Sequence, residues 1–241
     1  MIIMTNSEEK LRTLLNDKPR FHDWSDVPPT SAEVLEFIYR NLNSDMTTLE
    51  TGAGHSTVVF AIAGTNHVCI DTGKQECERI AGYCSNIGVD TSRIAFINRS
   101  SDAALSRSET TPPQLDFIFI DGAHRFPFPI IDYHYTEGRL KIGGILGVDD
   151  FTMPSVRILY DFLRGEDEWE IVEEIGETAF FRRVSETRIV SDWQGQNINR
   201  QANWRIPDSN QATSRGAPHP LSSALNRLLR IVRRSPPSTG L

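Results

Sequence analysis

The chain has 241 residues, of which 39% are hydrophobic and 24% charged, enough for one sizeable core and a tail or for two small domains. Its net charge of −7 gives no electrostatic argument for nucleic-acid binding. The charge is uneven: residues 185–241 hold eight Arg against three Asp or Glu, a net of +5, which leaves −12 (−7 less +5) over residues 1–184. Cys69, Cys77 and Cys84 lack metal-ligand spacing, so reduced core thiols and a reducing compartment are expected. The start, Met1-Ile2-Ile3-Met4, is too short for the apolar region of a secretory signal, and no apolar run reaches transmembrane length. A cytoplasmic soluble protein is the expectation.

Residues 1–29 read as a polar lead-in. Thr30 and Glu33 form a capping-box pattern after Pro28-Pro29, and Val34, Leu35, Ile38 and Leu42 continue it as an apolar stripe at helical spacing. From Thr47 short apolar runs alternate with helical stretches. Strands are predicted at Thr47–Glu50, Val68–Asp71, Ile94–Ile97, Phe117–Asp121 and Ile145–Asp149, with helices near 56–63, 73–87, 101–107, 128–140 and 154–164. Continuous apolar strands separated by helices imply an α/β fold: a Rossmann-like, doubly wound, mostly parallel sheet covered on both faces. Trp169–Glu174 and Ala179–Val184, joined at Gly176, read as a terminal antiparallel pair that brings the sheet to seven strands.

Residues 30–184 therefore form the expected domain. Residues 185–218, rich in Gln, Asn, Arg, Ser and Pro, read as a linker. Leu221, Leu225, Leu228, Leu229 and Val232, beside Arg227, Arg230, Arg233 and Arg234, form a short basic amphipathic helix. That helix, within 221–234, could dock on its own domain, on a partner or on an anionic membrane surface.

In a doubly wound sheet ligands bind beyond the carboxyl ends of the strands, so the polar residues there are the ones to read. The first strand runs into Glu50-Thr51-Gly52-Ala53-Gly54-His55-Ser56-Thr57, an acidic residue, a glycine turn and a helix start. Bare backbone at Gly52 and Gly54 lets a nucleotide-like ligand approach the main chain. The second strand ends at Asp71, about twenty residues after the glycines, a place suited to ribose hydroxyls. Ser100, Ser101 and Asp102 follow the third strand, where small polar groups can meet an adenine edge. The fourth ends in Asp121-Gly122-Ala123-His124, and the fifth follows Gly143-Gly144 and ends in Asp149-Asp150.

This ordered set resembles the class I S-adenosylmethionine-dependent methyltransferases. Within them it is similar to small bacterial metal-dependent O-methyltransferases of the sugar and macrolide type, over roughly residues 30–184. The resemblance implies that Glu50, Gly52 and Gly54 line the methionine and ribose parts of the cofactor. It also implies that Ser56 and Thr57 bond its carboxylate through hydroxyls or amides, that Asp71 holds the ribose, and that Ser100, Ser101 and Asp102 sit by the adenine. Ser56 stands where the wider pattern has a third glycine.

Adjacent parallel strands lie ~5 Å apart, so Asp121, Asp149 and Asp150 can meet at one point. Three carboxylates there repel unless a cation joins them, and oxygen-only ligands suit Mg²⁺, Mn²⁺ or Ca²⁺. A metal-chelated substrate hydroxyl would then lose its proton to a base and attack the sulfonium methyl. His124, at the offset where catechol-type relatives carry a lysine, is the candidate base beside Asp121.

Each feature also has a plainer reading. The glycines could make only a tight turn, and Asp71, Ser100, Ser101 and the Asp149-Asp150 pair could cap helices. His124 could hold a loop, Tyr133 and His134 could pack a helix, and Phe126 and Phe128 could pack a loop. Two other functions compete with a methyltransferase acting on a small-molecule hydroxyl, a sugar or a phenol. One is a nicotinamide-dependent oxidoreductase, although Thr57 replaces the third glycine of that fingerprint. The other is a non-catalytic scaffold. The oligomeric state is open, with a homo-oligomer compatible with the sequence.

Overall fold

All five apolar runs after Thr47 become strands. The structure, a computed structural model, describes residues 5–23, 30–107, 109, 111–186 and 196–201. The strands are β1 (Thr47–Thr51), β2 (Asn66–Asp71), β3 (Ile94–Asn98), β4 (Leu115–Ile120), β5 (Leu140–Val148), β6 (Trp169–Ile175) and β7 (Thr178–Arg183). They form one sheet in the order β3-β2-β1-β4-β5-β7-β6. β1, β2, β4 and the second half of β5 are buried on both faces, while β3 forms a half-exposed edge. Strands β1 to β5 are mutually parallel, β7 runs antiparallel to β5, and β6 antiparallel to β7. The order reverses between β1 and β4, which makes their carboxyl ends the topological switch point where such sheets bind ligands.

The helices are α1 (Asn6–Asp17), α2 (Ala32–Arg40), α3 (His55–Ala63), α4 (Lys74–Asn86), α5 (Ser101–Leu105), α6 (Phe128–Thr136), α7 (Pro154–Gly165) and α8 (Asn197–Gln201), with a 3-10 turn at Glu137–Arg139. Strand alternation sorts the core into two layers. Phe117 and Phe119 of β4 join Leu14, Ile38, Phe60, Ile80 and Phe180 on one face. Ile118 and Ile120 join Leu49, Leu105, Leu159 and Phe181 on the other. Phe37 stacks on Phe180 with ring centroids 4.0 Å apart, tying α2 to β7. Cys69, Cys77 and Cys84 are all buried and free.

Several local expectations shift. The lead-in contains α1, which starts at a capping box: Glu8 N donates to Thr5 Oγ1 at 3.3 Å and Thr5 N to Glu8 Oε2 at 2.7 Å. Its buried face is only Leu11 and Leu14, a stripe too narrow to stand out in the sequence, yet both join the main core. The cap of α2 is Ser31 rather than Thr30, with Val34 N donating to Ser31 Oγ at 3.3 Å. Strand β5 begins at Leu140, five residues before the expected Ile145, because a register irregularity against β4 lets the chain pair through the Gly143-Gly144 step. Among the described residues no helix is long and apolar enough to cross a membrane. The basic stripe at 221–234 and most of the expected linker lie outside the described residues.

The two glycines of the turn differ physically. Gly52 has φ +87°, and a Cβ there would lie 2.1 Å from the carbonyl oxygen of Asp121. Gly54 has φ −169°, extended backbone open to any residue, and a Cβ there meets nothing within 4 Å. Gly52→Ala is expected to destabilise the protein by more than ~1 kcal/mol, a fall in Tm of at least about 2–4 °C. Gly54→Ala should stay within ~0.5 kcal/mol of the parent. Urea and thermal denaturation of the two variants side by side check this.

Candidate active site

The site is built at the switch point, and its foundation is a buried polar network. β1 alternation turns Glu50 toward α3, where it is fully buried. Its carboxylate accepts a hydrogen bond from Ser56 Oγ at 2.7 Å and a short one from Thr57 Oγ1. His67 Nε2 lies 3.1 Å from Glu50 Oε1, while His67 Nδ1 meets Thr48 Oγ1 at 2.8 Å and Thr48 meets Thr65 at 3.0 Å. The His67 ring stacks on Phe60, centroids 4.2 Å apart. Thr57 Oγ1 also accepts from the Gly54 amide at 3.0 Å.

This takes up the Glu50 carboxylate and the Ser56 and Thr57 hydroxyls within the protein, and of the two expected modes for Ser56 and Thr57 it favours the amides. Their side chains face one another beneath the turn and shape it, so what the turn offers a ligand is backbone. His67, Thr48 and Thr65 were not singled out from the sequence. A histidine inside an apolar strand is visible there, but its partner across the sheet is not.

Asp71 joins the first two strand ends. Its Oδ2 accepts from the Ala53 amide at 2.9 Å, and its Oδ1 accepts a short bond from the Gly73 amide. Gly52 N donates to Ile70 O at 2.9 Å. Each carboxylate oxygen keeps a second lone pair, so Asp71 can hold the turn and still accept ribose hydroxyls. Beyond β3, Ser100 occupies the N-cap position of α5 without a side-chain cap bond, and Ser101 and Asp102 open its first turn. The capping alternative for Ser100 is therefore not realised through its hydroxyl. His55, the first residue of α3, is buried against Phe21, with ring centroids 5.1 Å apart and Nε2 lacking a hydrogen bond. Burial lowers its pKa, with a hydrogen bond to the Pro19 backbone opposing. It is a second histidine that the sequence did not single out.

The acceptor side lies beyond β4 and β5. Asp121 N donates to Thr51 O and Asp149 N to Ile120 O, both at 3.0 Å, which carries the three strand ends into one place. His124 stands between two of the acids. Its Nδ1 lies 3.1 Å from Asp150 Oδ2 and its Nε2 3.6 Å from Asp121 Oδ1, the second contact electrostatic rather than hydrogen-bonded. Asp150 adopts φ +54°, which turns its side chain back toward this point. Ser155 Oγ donates to the His124 carbonyl and so ties the two loops together. Asp149 is directed elsewhere: its carboxylate accepts a short hydrogen bond from Thr178 of β7.

The charges respond to this crowding. Burial pushes the Asp121 carboxyl up to about 8, His124 opposes, and Asp149 and Asp150 add to the rise. The Asp121 side chain keeps 22% of its surface exposed, so solvent screens part of that rise. Burial also raises Asp150, against the pull of His124, and the Asp121 carboxylate raises His124. Among the described residues no three metal-ligating side chains converge as a formed centre. Of the expected trio, the structure brings Asp121 and Asp150 together around His124 and holds Asp149 on Thr178.

Residues 49–151 match a protein family described as Methyltransferase domain. No curated protein matches the sequence. Among solved structures the chain is similar to the O-methyltransferase NovP, with 14% identity and a TM-score of 0.60 over 74% of this chain and 98% of that one. It is also similar to the O-methyltransferase TomG from Streptomyces achromogenes, involved in tomaymycin synthesis and solved with S-adenosylmethionine, with 16% identity and a TM-score of 0.55 over 76% and 92%. An rRNA methylase from Streptococcus thermophilus shares the fold at 12% identity and a TM-score of 0.50, over 67% and 100%. At these identities the structures attest the fold, and the family match points to a methyltransferase rather than to the nicotinamide reading. The glycine turn and the strand-end acids Asp71, Asp121, Asp149 and Asp150 all lie within the matched span, so they belong to a region similar to a methyltransferase domain.

Proposed function

We propose that the protein methylates a hydroxyl of a small molecule, a sugar or a phenol, with His124 as general base. The observation that carries this is the His124 ring held by Asp150 through Nδ1, with Nε2 free of hydrogen bonds, beside the end of β4. A carboxylate on Nδ1 fixes the tautomer whose Nε2 lone pair can take a proton. The hydroxyl proton passes to His124, the oxygen attacks the sulfonium methyl, and the carbon–sulfur bond breaks to leave S-adenosylhomocysteine and a methyl ether. The fold is shared with an rRNA methylase and with O-methyltransferases of small-molecule type. The charge of −12 over residues 1–184 favours a small acceptor over a polyanion.

For the cofactor, the open space over Gly54, the turn amides and Asp71 fit a bound S-adenosylmethionine, with Ser100, Ser101 and Asp102 toward its adenine. For a divalent cation (Mg²⁺, Mn²⁺ or Ca²⁺) the donors fit in kind. Asp121, Asp149 and Asp150 supply only oxygen, and Asp149 raises the pKa of both others, a repulsion that a cation relieves. Asp150 holds His124 through Oδ2 and Asp149 accepts from Thr178 through Oδ1, so each keeps a second carboxylate oxygen for such an ion. When bound, such an ion would acidify and orient the acceptor hydroxyl. A cytoplasmic location and a homo-oligomer belong to the same proposal.

His124→Gln is expected to lower kcat ~10²–10⁴-fold while the Kd for S-adenosylmethionine moves less than about threefold. Single-turnover methylation of a sugar and catechol panel, followed by mass, reads this. Unchanged kcat would remove His124 from the chemistry, and cofactor binding with no turnover on any acceptor would favour the scaffold reading. Chelation should lower turnover by at least about tenfold, with Mg²⁺ restoring it, and Asp149→Ala should abolish turnover with cofactor affinity retained. Full activity in chelator removes the cation from the proposal and leaves the base.

A further inference from the structure

We infer that Asp132 is a positioning residue for the cofactor loops, the buried acceptor on which the hydroxyls of Thr51 and Ser101 close when the cofactor occupies the turn. This rests on the methyltransferase reading of that turn and adds a residue to it.

Asp132 lies in α6 and is 1% exposed, and neither carboxylate oxygen has a hydrogen-bond partner. Thr51, the last residue of β1, is 1% exposed, and its hydroxyl also lacks a partner. Strand alternation sends Thr51 to the face opposite Glu50, into the layer that α5 and α6 cover. The hydroxyls of Thr51 and Ser101 lie close enough to oppose the rise that burial imposes on the Asp132 carboxyl, which stands at about 6. One buried unpaired donor, the Thr51 hydroxyl, thus lies beside two buried unpaired acceptors, with the Ser101 hydroxyl within reach of the same carboxyl, where folded proteins seldom leave buried polar groups unpaired.

The position of the three groups gives the gap its meaning. Thr51 adjoins Gly52, and Ser101 opens the helix assigned to the adenine side. Closing both on Asp132 would draw the two loops together over α6. Packing alone would be served by an apolar residue at 132, as it is at the neighbouring Ile130.

The surroundings leave Asp132 to these partners. On α5, Asp102 raises its pKa further. On β4, Asp116 accepts from Thr47 N at 2.9 Å and from Lys141 at 2.7 Å. On α7, Arg157 pairs with Asp161 at 2.7 Å and Arg164 donates to Tyr160 at 3.1 Å. On the 3-10 turn, Arg139 donates to Thr111 O at 2.7 Å. On α6 itself, Thr136 Oγ1 donates to the Asp132 backbone carbonyl at 2.7 Å and leaves the carboxylate untouched.

The sign follows. A carboxylate that gains donors on cofactor binding has its pKa lowered by binding, so affinity is full above the free-state pKa and falls as pH drops through it. The test is calorimetric titration of the full chain with S-adenosylhomocysteine between pH 5 and 8. The wild-type Kd should weaken at least about threefold from pH 7.5 to 5.5, up to about tenfold for each unit that binding lowers the pKa. Asp132→Asn should bind at least about threefold more weakly at pH 7.5, with that pH dependence lost. Thr51→Val, which removes a donor and spares the carboxyl, should flatten the profile as well and serves if Asp132→Asn does not fold. Asp132→Asn and Thr51→Val both keeping the wild-type affinity and pH profile overturns this inference alone. Failure of the wild type to bind S-adenosylhomocysteine overturns the reading of the turn, and this inference with it.

Discussion

The Glu50 carboxylate is the constraint on which the rest of the site depends. It is fully buried, and it is satisfied by groups from three directions: Ser56 and Thr57 of α3, His67 of β2, and through His67 the β1 hydroxyl of Thr48. A buried polar group left without partners costs about 1–3 kcal/mol. The network therefore locks the start of α3 against β1 and β2 in one geometry. That geometry presents the amides of the glycine turn to the open end of the sheet.

Above this lock, the period of two along β1 divides labour between adjacent residues. Glu50 faces α3 and builds the floor, while Thr51 faces the α5 and α6 layer, where Asp132 waits with unmet acceptors. Gly52 must carry no side chain because the Asp121 carbonyl passes where a Cβ would be. The glycine turn after β1 and the end of β4 are thus in direct backbone contact.

On the acceptor side, electrostatics organises what the strands deliver. His124 stands between Asp121 and Asp150, with Asp149 turned to Thr178. The same imidazole is thereby held in one tautomer. The segment that follows Asp150 is joined to the loop that carries His124 by the hydrogen bond from Ser155 to the His124 carbonyl.

Much of this was legible in the sequence. The apolar runs after Thr47 placed the central strands β1, β2, β4 and β5, because strands buried on both faces must be continuously apolar. The glycine turn, Asp71, Asp-Gly-x-His and Asp-Asp marked the strand ends, because ligand sites in such sheets are confined there. Helix α1 escaped notice because two buried leucines make too narrow a stripe, and the onset of β5 because a register irregularity has no sequence period. Only the tertiary structure decided which way the side chains turn. It sent Glu50, Ser56 and Thr57 inward to one another and parted Asp149 from its neighbours. It also drew Asp132 and His67 from silent positions into buried polar clusters. Periodicity determines which face a residue occupies, but its partners come from strands and helices distant in the chain. Hydrogen-bond geometry, set only when those elements pack, decides between holding a ligand and holding the fold.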